Sequence, residues 1–111
     1  MRGLLVAFAL LTLTACGSTP ERAGQTDYLR VCATCHGSEG QGIGILGSPL
    51  TTSEMLAWND DEIVEFLKKG RMPKDPDNKT GMLMPPRGGD PRLTDEDLQN
   101  IVTHMRFLAE Q

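Results

Sequence analysis

The pentapeptide Cys32-Ala-Thr-Cys35-His36 constrains this chain more than any other part of its sequence. Residues three positions apart lie on neighbouring points of one helical face, so both thiols can reach the same edge of a flat group. The imidazole of His36 follows directly and can turn beneath the centre of that group. This order of side chains is typical of c-type haem attachment, with Cys32 and Cys35 as thioether links and His36 as the proximal iron ligand. The pattern predicts one covalently bound haem c.

Residues 1–15 have the pattern of an export signal: a positive start followed by an apolar run too short to span a bilayer. They end in Leu-Thr-Ala before Cys16, which resembles the bacterial lipobox, where the peptide is cut before a cysteine that then carries lipid. We expect a lipidated Cys16, a tether over 16–22, and a protein anchored to a membrane and facing the periplasm or cell exterior. The alternative is an ordinary signal cut near Ala15, which leaves Cys16 as a free thiol.

Lipid and haem together account for the three cysteines of the chain, so no disulfide is expected. A covalently held haem would add apolar bulk to a domain too small to build a large core of its own. The net charge of −4 does not favour nucleic-acid binding, which requires a basic face.

Helical patterns in the remaining residues, 23–111, predict a single all-α domain. Residues 23–34 lead into the haem motif, and residues 60–69 have acids at their start and lysines at their end. Residues 94–110 combine a capping box with an apolar stripe at helical spacing. A short helical turn is expected over 53–58, and no alternating strand pattern is present.

The long loop over residues 72–90 is the expected source of the second axial ligand, because the methionines within predicted helices have the spacing of core residues. Met84 is followed by two prolines, which stiffen the backbone around a ligand. Met72 is also followed by proline and remains an alternative, as does Met82. A methionine opposite a histidine raises the reduction potential of the iron and closes its sixth position.

Nearly the whole mature chain resembles a class I cytochrome c. The stretch Gly24-x3-Tyr28-x3-Cys32-x2-Cys35-His36-Gly37 matches the opening of that family, and Met84-Pro85-Pro86 resembles its methionine loop. The resemblance implies about four helices around one haem, with Met84 as the distal ligand. It also implies that Gly24 lets the first and last helices cross closely, with Tyr28 packed at the crossing.

The resemblance also suggests roles for Pro49 and His104. Ser48-Pro49-Leu50 is similar to the segment whose proline carbonyl accepts a hydrogen bond from the proximal histidine, so Pro49 is expected to orient His36. Trp58 is expected to bond a haem propionate because a buried indole N–H needs a partner, unless it is a core tryptophan with another acceptor. His104 stands where the family usually has an aromatic and is expected to pack there. The run 72–79 is an extra segment of open role.

The resemblance implies a monohaem electron carrier rather than an enzyme, and the lipobox at Cys16 implies that this carrier is tethered to a membrane. Its expected partners are membrane complexes: a quinol-oxidising donor and a terminal oxidase or similar acceptor. The alternative is a haem subunit, sensor or enzyme whose axial site is open or exchangeable.

Two other uses of the motif are disfavoured by its surroundings. A thiol oxidoreductase has its Cys-x-x-Cys in a βαβ context, and no strand pattern is present. In a zinc site, Cys32, Cys35 and His36 would crowd a single tetrahedral ion, and the sequence offers no second ligand pair.

Overall fold

A computed structural model describes Gly17 and residues 19–111 of the chain. Its α-helices are α1 (Pro20–Asp27), α2 (Ala33–His36), α3 (Asp60–Lys69) and α4 (Asp95–Ala109). Two short 3-10 helices cover Glu54–Ala57 and Pro86–Gly89. Over these described residues, extended pairing is limited to two isolated β-bridges. The all-α fold predicted from the sequence is confirmed.

The signal peptide predicted over 1–15 and the lipidated Cys16 lie outside the described residues. Within the part of the chain that the structure covers, no helix has the length and apolar character needed to cross a membrane.

A π-helical turn, Tyr28–Cys32, joins α1 to α2 without a break, and the N–H of Ala33 donates to the carbonyl of Tyr28. This continuous helix begins at Pro20, three residues earlier than the pattern predicted. The reason is local: the Thr19 hydroxyl accepts a hydrogen bond from the Arg22 N–H at 3.3 Å, and proline suits the first helical position. The last three residues of the predicted tether are therefore helical.

Helix α3 has its predicted bounds, and α4 begins and ends within a residue of those predicted. Reciprocal capping boxes fix both starts, Asn59 with Glu62 for α3 and Thr94 with Asp97 for α4. The 3-10 turn Glu54–Ala57 lies inside the short turn predicted over 53–58.

Helices α3 and α4 pack antiparallel, and an ion pair joins them near each end. Arg106 contacts Asp60 at 2.6 Å, and Lys68 contacts Asp95 at 3.1 Å. The buried core between these helices and the first helix is apolar, and it includes Met105, as the helical spacing predicted. It consists of Tyr28, Ile63, Val64, Leu67, Leu93, Leu98, Ile101, Val102 and Met105.

Helices α1 and α4 cross at Gly24. A Cβ atom on Gly24 would lie 1.9 Å from the carbonyl oxygen of Asn100, so the two backbones meet where only glycine fits. One turn further, the ring of Tyr28 packs on that of His104 with centroids 5.2 Å apart, and both side chains are buried. The predicted close crossing is confirmed, and His104 is a packing residue within it.

His104 is 2% exposed, and its Nδ1 atom is buried without a hydrogen-bond partner. Burial lowers the pKa of this imidazole from its ordinary value of 6.5, and the charge of Glu21 opposes that shift. The folded chain therefore favours the neutral form of His104 more strongly than the unfolded chain does.

We predict that Gly24→Ala lowers the free energy of unfolding by about 1–3 kcal/mol, because the added methyl group forces the helices apart. Guanidinium unfolding followed by helical circular dichroism measures this change. The control is Gln25→Ala, which truncates an exposed side chain on the same helix. Equal stability of the two variants would contradict the close crossing.

We also predict that stability falls as the pH is lowered from about 7.5 to 5.5. The unfolded chain takes up a proton on His104 near its ordinary pKa, while the folded chain resists protonation until lower pH. Stability from the neutral imidazole is thus fully present above the unfolded pKa and declines below it. Urea unfolding at both pH values measures the difference. His104→Phe should flatten this dependence, and an unchanged slope in that variant would assign it to other groups.

Candidate haem site

The imidazole of His36 is buried at the end of α2, and its Nδ1 atom lies 2.8 Å from the carbonyl oxygen of Ser48. A carbonyl oxygen only accepts hydrogen bonds, so Nδ1 carries the proton and donates it. The lone pair of Nε2 is left available for a metal. This is the tautomer that a proximal iron ligand requires.

The acceptor for His36 is Ser48 and not Pro49, so the expectation that the Pro49 carbonyl fills this role is wrong. The position of the loop explains the difference. A Cβ atom on Gly47 would lie 2.3 Å from the Cys35 carbonyl oxygen, so the loop backbone rests against the helix end one residue before Ser48. Pro49 still contributes, because a proline restricts the residue before it to extended backbone.

Tyr28 connects the helix crossing to the end of the haem motif. Its hydroxyl donates to the Gly37 carbonyl at 2.7 Å, and burial raises its pKa to about 12. Gly37 has a φ of +84°, a backbone conformation that glycine adopts more easily than other residues. This residue turns the chain away from the helix directly after His36. The turn at Gly37, directly after His36, is thus hydrogen-bonded to Tyr28 of the buried core.

Cys32 and Cys35 are half-buried free thiols separated by one helical turn. Burial raises the pKa of the Cys32 thiol to about 12, so it is not the activated thiolate that a disulfide oxidoreductase uses. The donor set consists of two thiols on one helix end and an imidazole with a free Nε2 atom. These groups fit a c-type haem, which Cys32 and Cys35 would hold covalently and His36 would ligate.

The three loop methionines differ in their burial. Met84 is partly buried and packs against the apolar core, whereas Met72 is 66% exposed and Met82 is 43% exposed. The backbone of Met84 is also fixed: its N–H donates to Arg71 at 2.9 Å, and its carbonyl accepts from Arg71 at 2.7 Å. Among these candidates Met84 has the most constrained position, which keeps it the preferred distal ligand.

The end of α3 also restrains Met84. A Cβ atom on Gly70, which has a φ of +69°, would lie 2.2 Å from the Met84 carbonyl oxygen. A larger residue at position 70 would therefore displace the methionine backbone.

The extra run 72–79 belongs to a longer loop, residues 72–83, which is closed at its base by the backbone pairing of Arg71 with Met84. The side-chain amide of Asn78 spans it, donating to the carbonyls of Met72 at 3.0 Å and Met82 at 2.7 Å. The amide oxygen of Asn78 also accepts from the backbone of Gly81 at 2.8 Å. The loop is ordered by hydrogen bonds between its own residues. Its two ends are held together by the pairing of Arg71 with Met84, so it adds surface without moving Met84.

Trp58 is 38% exposed, and its ring packs edge to face on Phe66 with centroids 6.1 Å apart. It is therefore not the core tryptophan of the alternative interpretation. Its contact with a haem propionate stays a prediction. Its carbonyl accepts a hydrogen bond from Arg106 at 2.7 Å, which ties this segment to α4.

Sequence reasoning missed the roles of two residues, Ser48 in orienting His36 and Asn78 in ordering the extra segment. Ser48 acts through its carbonyl, a group that every residue carries, so side-chain identity gave no signal. Asn78 lies in a run of turn-forming residues, Asp-Asn-Lys-Thr-Gly, and that composition does favour side-chain bonds to nearby backbone.

Comparison with known proteins shows the family of the chain. Residues 19–105 match the family described as cytochrome c oxidase, cbb3-type, subunit III. A cytochrome c-555 of Chlorobaculum tepidum is 30% identical over 101 residues, which cover 91% of this chain and 88% of that relative. No solved structure matches the chain. With its haem motif on the first of its packed helices, the chain belongs to the c-type cytochromes, monohaem proteins of class I that carry electrons on a covalently bound haem.

Proposed function

We propose that this cytochrome is a lipid-anchored carrier that moves single electrons between membrane complexes, with Met84 as its distal iron ligand. The observation that carries the proposal is the position of Met84, which packs on the core with its backbone bonded to Arg71 on both sides. The haem iron supplies the one-electron change. The chain keeps two ligands in place, which favours electron transfer over catalysis at an open site.

The proximal ligand is held as firmly as the proposed distal one. The hydrogen bond from His36 to the Ser48 carbonyl fixes the ring orientation, and partners of this kind also raise the basicity of the ligand. When both ligands come from fixed backbone, few atoms need to move as the iron changes charge. A site built this way exchanges electrons without requiring a substrate pocket.

We predict that Met84→Ala retains covalent haem but lowers the reduction potential by on the order of 0.1 V, because a thioether opposite histidine stabilises the ferrous state. The ferric protein should also lose the weak far-red absorption band of sulfur ligation and bind added imidazole. Visible spectroscopy and a redox titration measure these changes.

The matched controls are Met72→Ala and Met82→Ala, which truncate the two exposed methionines of the same loop. Both should keep the band and the potential of the unmodified protein. Loss of the band in either control, with the band retained in Met84→Ala, would transfer the ligand role to that residue. High-spin spectra in the unmodified protein would favour the sensor or enzyme alternative.

The proposed lipid anchor would hold the haem close to the membrane. Helix α1 starts at Pro20, so only residues 17–19 separate its start from Cys16. Three extended residues span at most about 11 Å. Such a short link supports partners that are themselves in the membrane, namely a quinol-oxidising donor and a terminal oxidase or similar acceptor, because tethering raises their local concentration.

We predict that Cys16→Ser moves the haem protein from the membrane fraction to the soluble exported fraction of a bacterial host that makes c-type haem. Without the thiol no lipid is attached, and a domain whose signal is cut near Ala15 should then be released. Haem staining of the separated fractions measures the change, and Ser18→Ala is the control. Equal membrane retention of Cys16→Ser with its signal removed, as judged by its mass, would contradict the anchor, while the ligand assignment would be unaffected.

The family match supports a second candidate within the same chemistry, a haem subunit held in an oxidase complex. The matched family is named for subunit III of a cbb3-type oxidase. Gentle detergent extraction followed by size separation distinguishes the two functions. A permanent subunit would elute with an oxidase at fixed ratio, whereas a carrier would elute alone.

A further inference from the structure

Asp90 is a buried acid in the loop between Met84 and α4. The residue is 8% exposed, and both of its carboxylate oxygens are used. Oδ1 accepts from the Arg92 backbone N–H at 3.0 Å and from Arg92 Nε at 2.9 Å. Oδ2 accepts from Arg92 Nη2 at 3.1 Å and from Arg30 Nη1. A buried carboxylate with this many donors is held in one orientation.

Its two arginine partners contribute in different ways. Arg92 lies two residues away, so its three bonds to Asp90 order only the loop. Arg30 lies 60 residues away in the π-helical turn, two positions before Cys32. The bond between Arg30 and Asp90 therefore joins the distal loop, the segment from Met84 to Leu93, to the helix that carries Cys32 and Cys35. Arg30 also pairs with Asp27 at 2.9 Å, which directs its guanidinium.

A close contact between Gly88 and the side chain of Val31 lies beside this bond. A Cβ atom on Gly88, which has a φ of +65°, would lie 2.4 Å from a methyl carbon of Val31. Val31 stands between Arg30 and Cys32 in the sequence. The loop thus rests on the helix directly before the first thioether position, and the Asp90 carboxylate fastens it there.

The loop that contains Met84 is consequently anchored on both sides. Upstream, Met84 is bonded to Arg71 and lies against Gly70 at the end of α3. Downstream, Asp90 is bonded to Arg30 on the helix of the haem motif. The bonds to Arg71 fix the position of Met84 relative to α3. The bond between Asp90 and Arg30 fixes the position of the loop relative to the cysteines.

We propose that Asp90 is a positioning residue for the distal ligand, and that its bond to Arg30 keeps Met84 on the haem iron. This inference rests on the proposed assignment of Met84 as ligand. When the bond is lost, the loop lifts from Val31 more often, and the fraction of molecules with an open sixth position rises. An added ligand then binds more tightly, because its apparent affinity scales with that fraction.

The test is the binding of imidazole to the ferric holoprotein with Asp90→Asn, followed by visible titration. We expect about tenfold tighter apparent binding than in the unmodified protein, the size that loss of a charge-assisted hydrogen bond produces. The far-red band of sulfur ligation should weaken. The matched control is Asp60→Asn, which makes the same charge change and removes a carboxylate paired with Arg106 away from the loop.

Arg30→Gln is the second variant, and it keeps the proposal testable if Asp90→Asn does not fold. The Arg30 side chain is half-exposed, and its removal leaves Asp90 paired with Arg92. Arg30→Gln should also increase imidazole affinity. Where both variants fold, the double variant should bind imidazole about as tightly as the stronger single variant, because both changes break one interaction.

Imidazole affinities of Asp90→Asn and Arg30→Gln within about twofold of Asp60→Asn would overturn the positioning role. A parallel titration of Met84→Ala separates this result from failure of the ligand assignment. If Met84→Ala binds imidazole tightly while the Asp90 and Arg30 variants do not, only the positioning role fails. If Met84→Ala resembles the unmodified protein, the ligand assignment fails and the positioning role falls with it.

Discussion

The close crossing of α1 and α4 at Gly24 is the contact on which the haem site depends. Because α1 continues through the π turn into α2, fixing α1 also fixes the direction from which Cys32, Cys35 and His36 project. Helix α4 begins at Asp95, directly after its cap residue Thr94, and the loop that runs from Met84 to Leu93 ends at that cap. A single backbone contact thus relates the helix of the haem motif to the element where the distal loop ends. Replacing glycine there would disturb both at once.

Backbone carbonyls do much of the orienting on the proximal side. Tyr28 donates to the carbonyl of Gly37, and His36 contacts that of Ser48. Both acceptors lie in glycine-containing segments that leave the helix end and fold back against it. The position of His36, the proposed proximal ligand, is therefore set by the path of the chain rather than by particular polar side chains. The hydroxyl of Tyr28 extends this control into the core, since its ring packs against His104 at the crossing.

The sequence predicted those features that depend on local periodicity or on side-chain chemistry. Helices α3 and α4 have capping boxes and apolar stripes, and the cysteine and histidine spacing identified the haem motif. The Ser48 acceptor could not be separated from Pro49, because two adjacent carbonyls differ only in how the loop folds. The bond between Arg30 and Asp90 joins residues 60 positions apart, and neither lies in a motif. The early start of α1 is a local feature that the sequence prediction missed, although Thr19 and Pro20 are ordinary helix-start signals.

The loop between Arg71 and Met84, which includes the extra run 72–79, shows how a small cytochrome can lengthen its methionine loop. The backbone pair between these two residues closes the excursion at its base, and Asn78 organises its interior. The entropy of closing a loop grows only slowly with its length, so added residues cost little once the base is paired. The pairing also separates the segment mechanically from Met84. Its exposed surface, which includes Met72, can therefore differ in shape and charge without altering the distance between Met84 and the rest of the site.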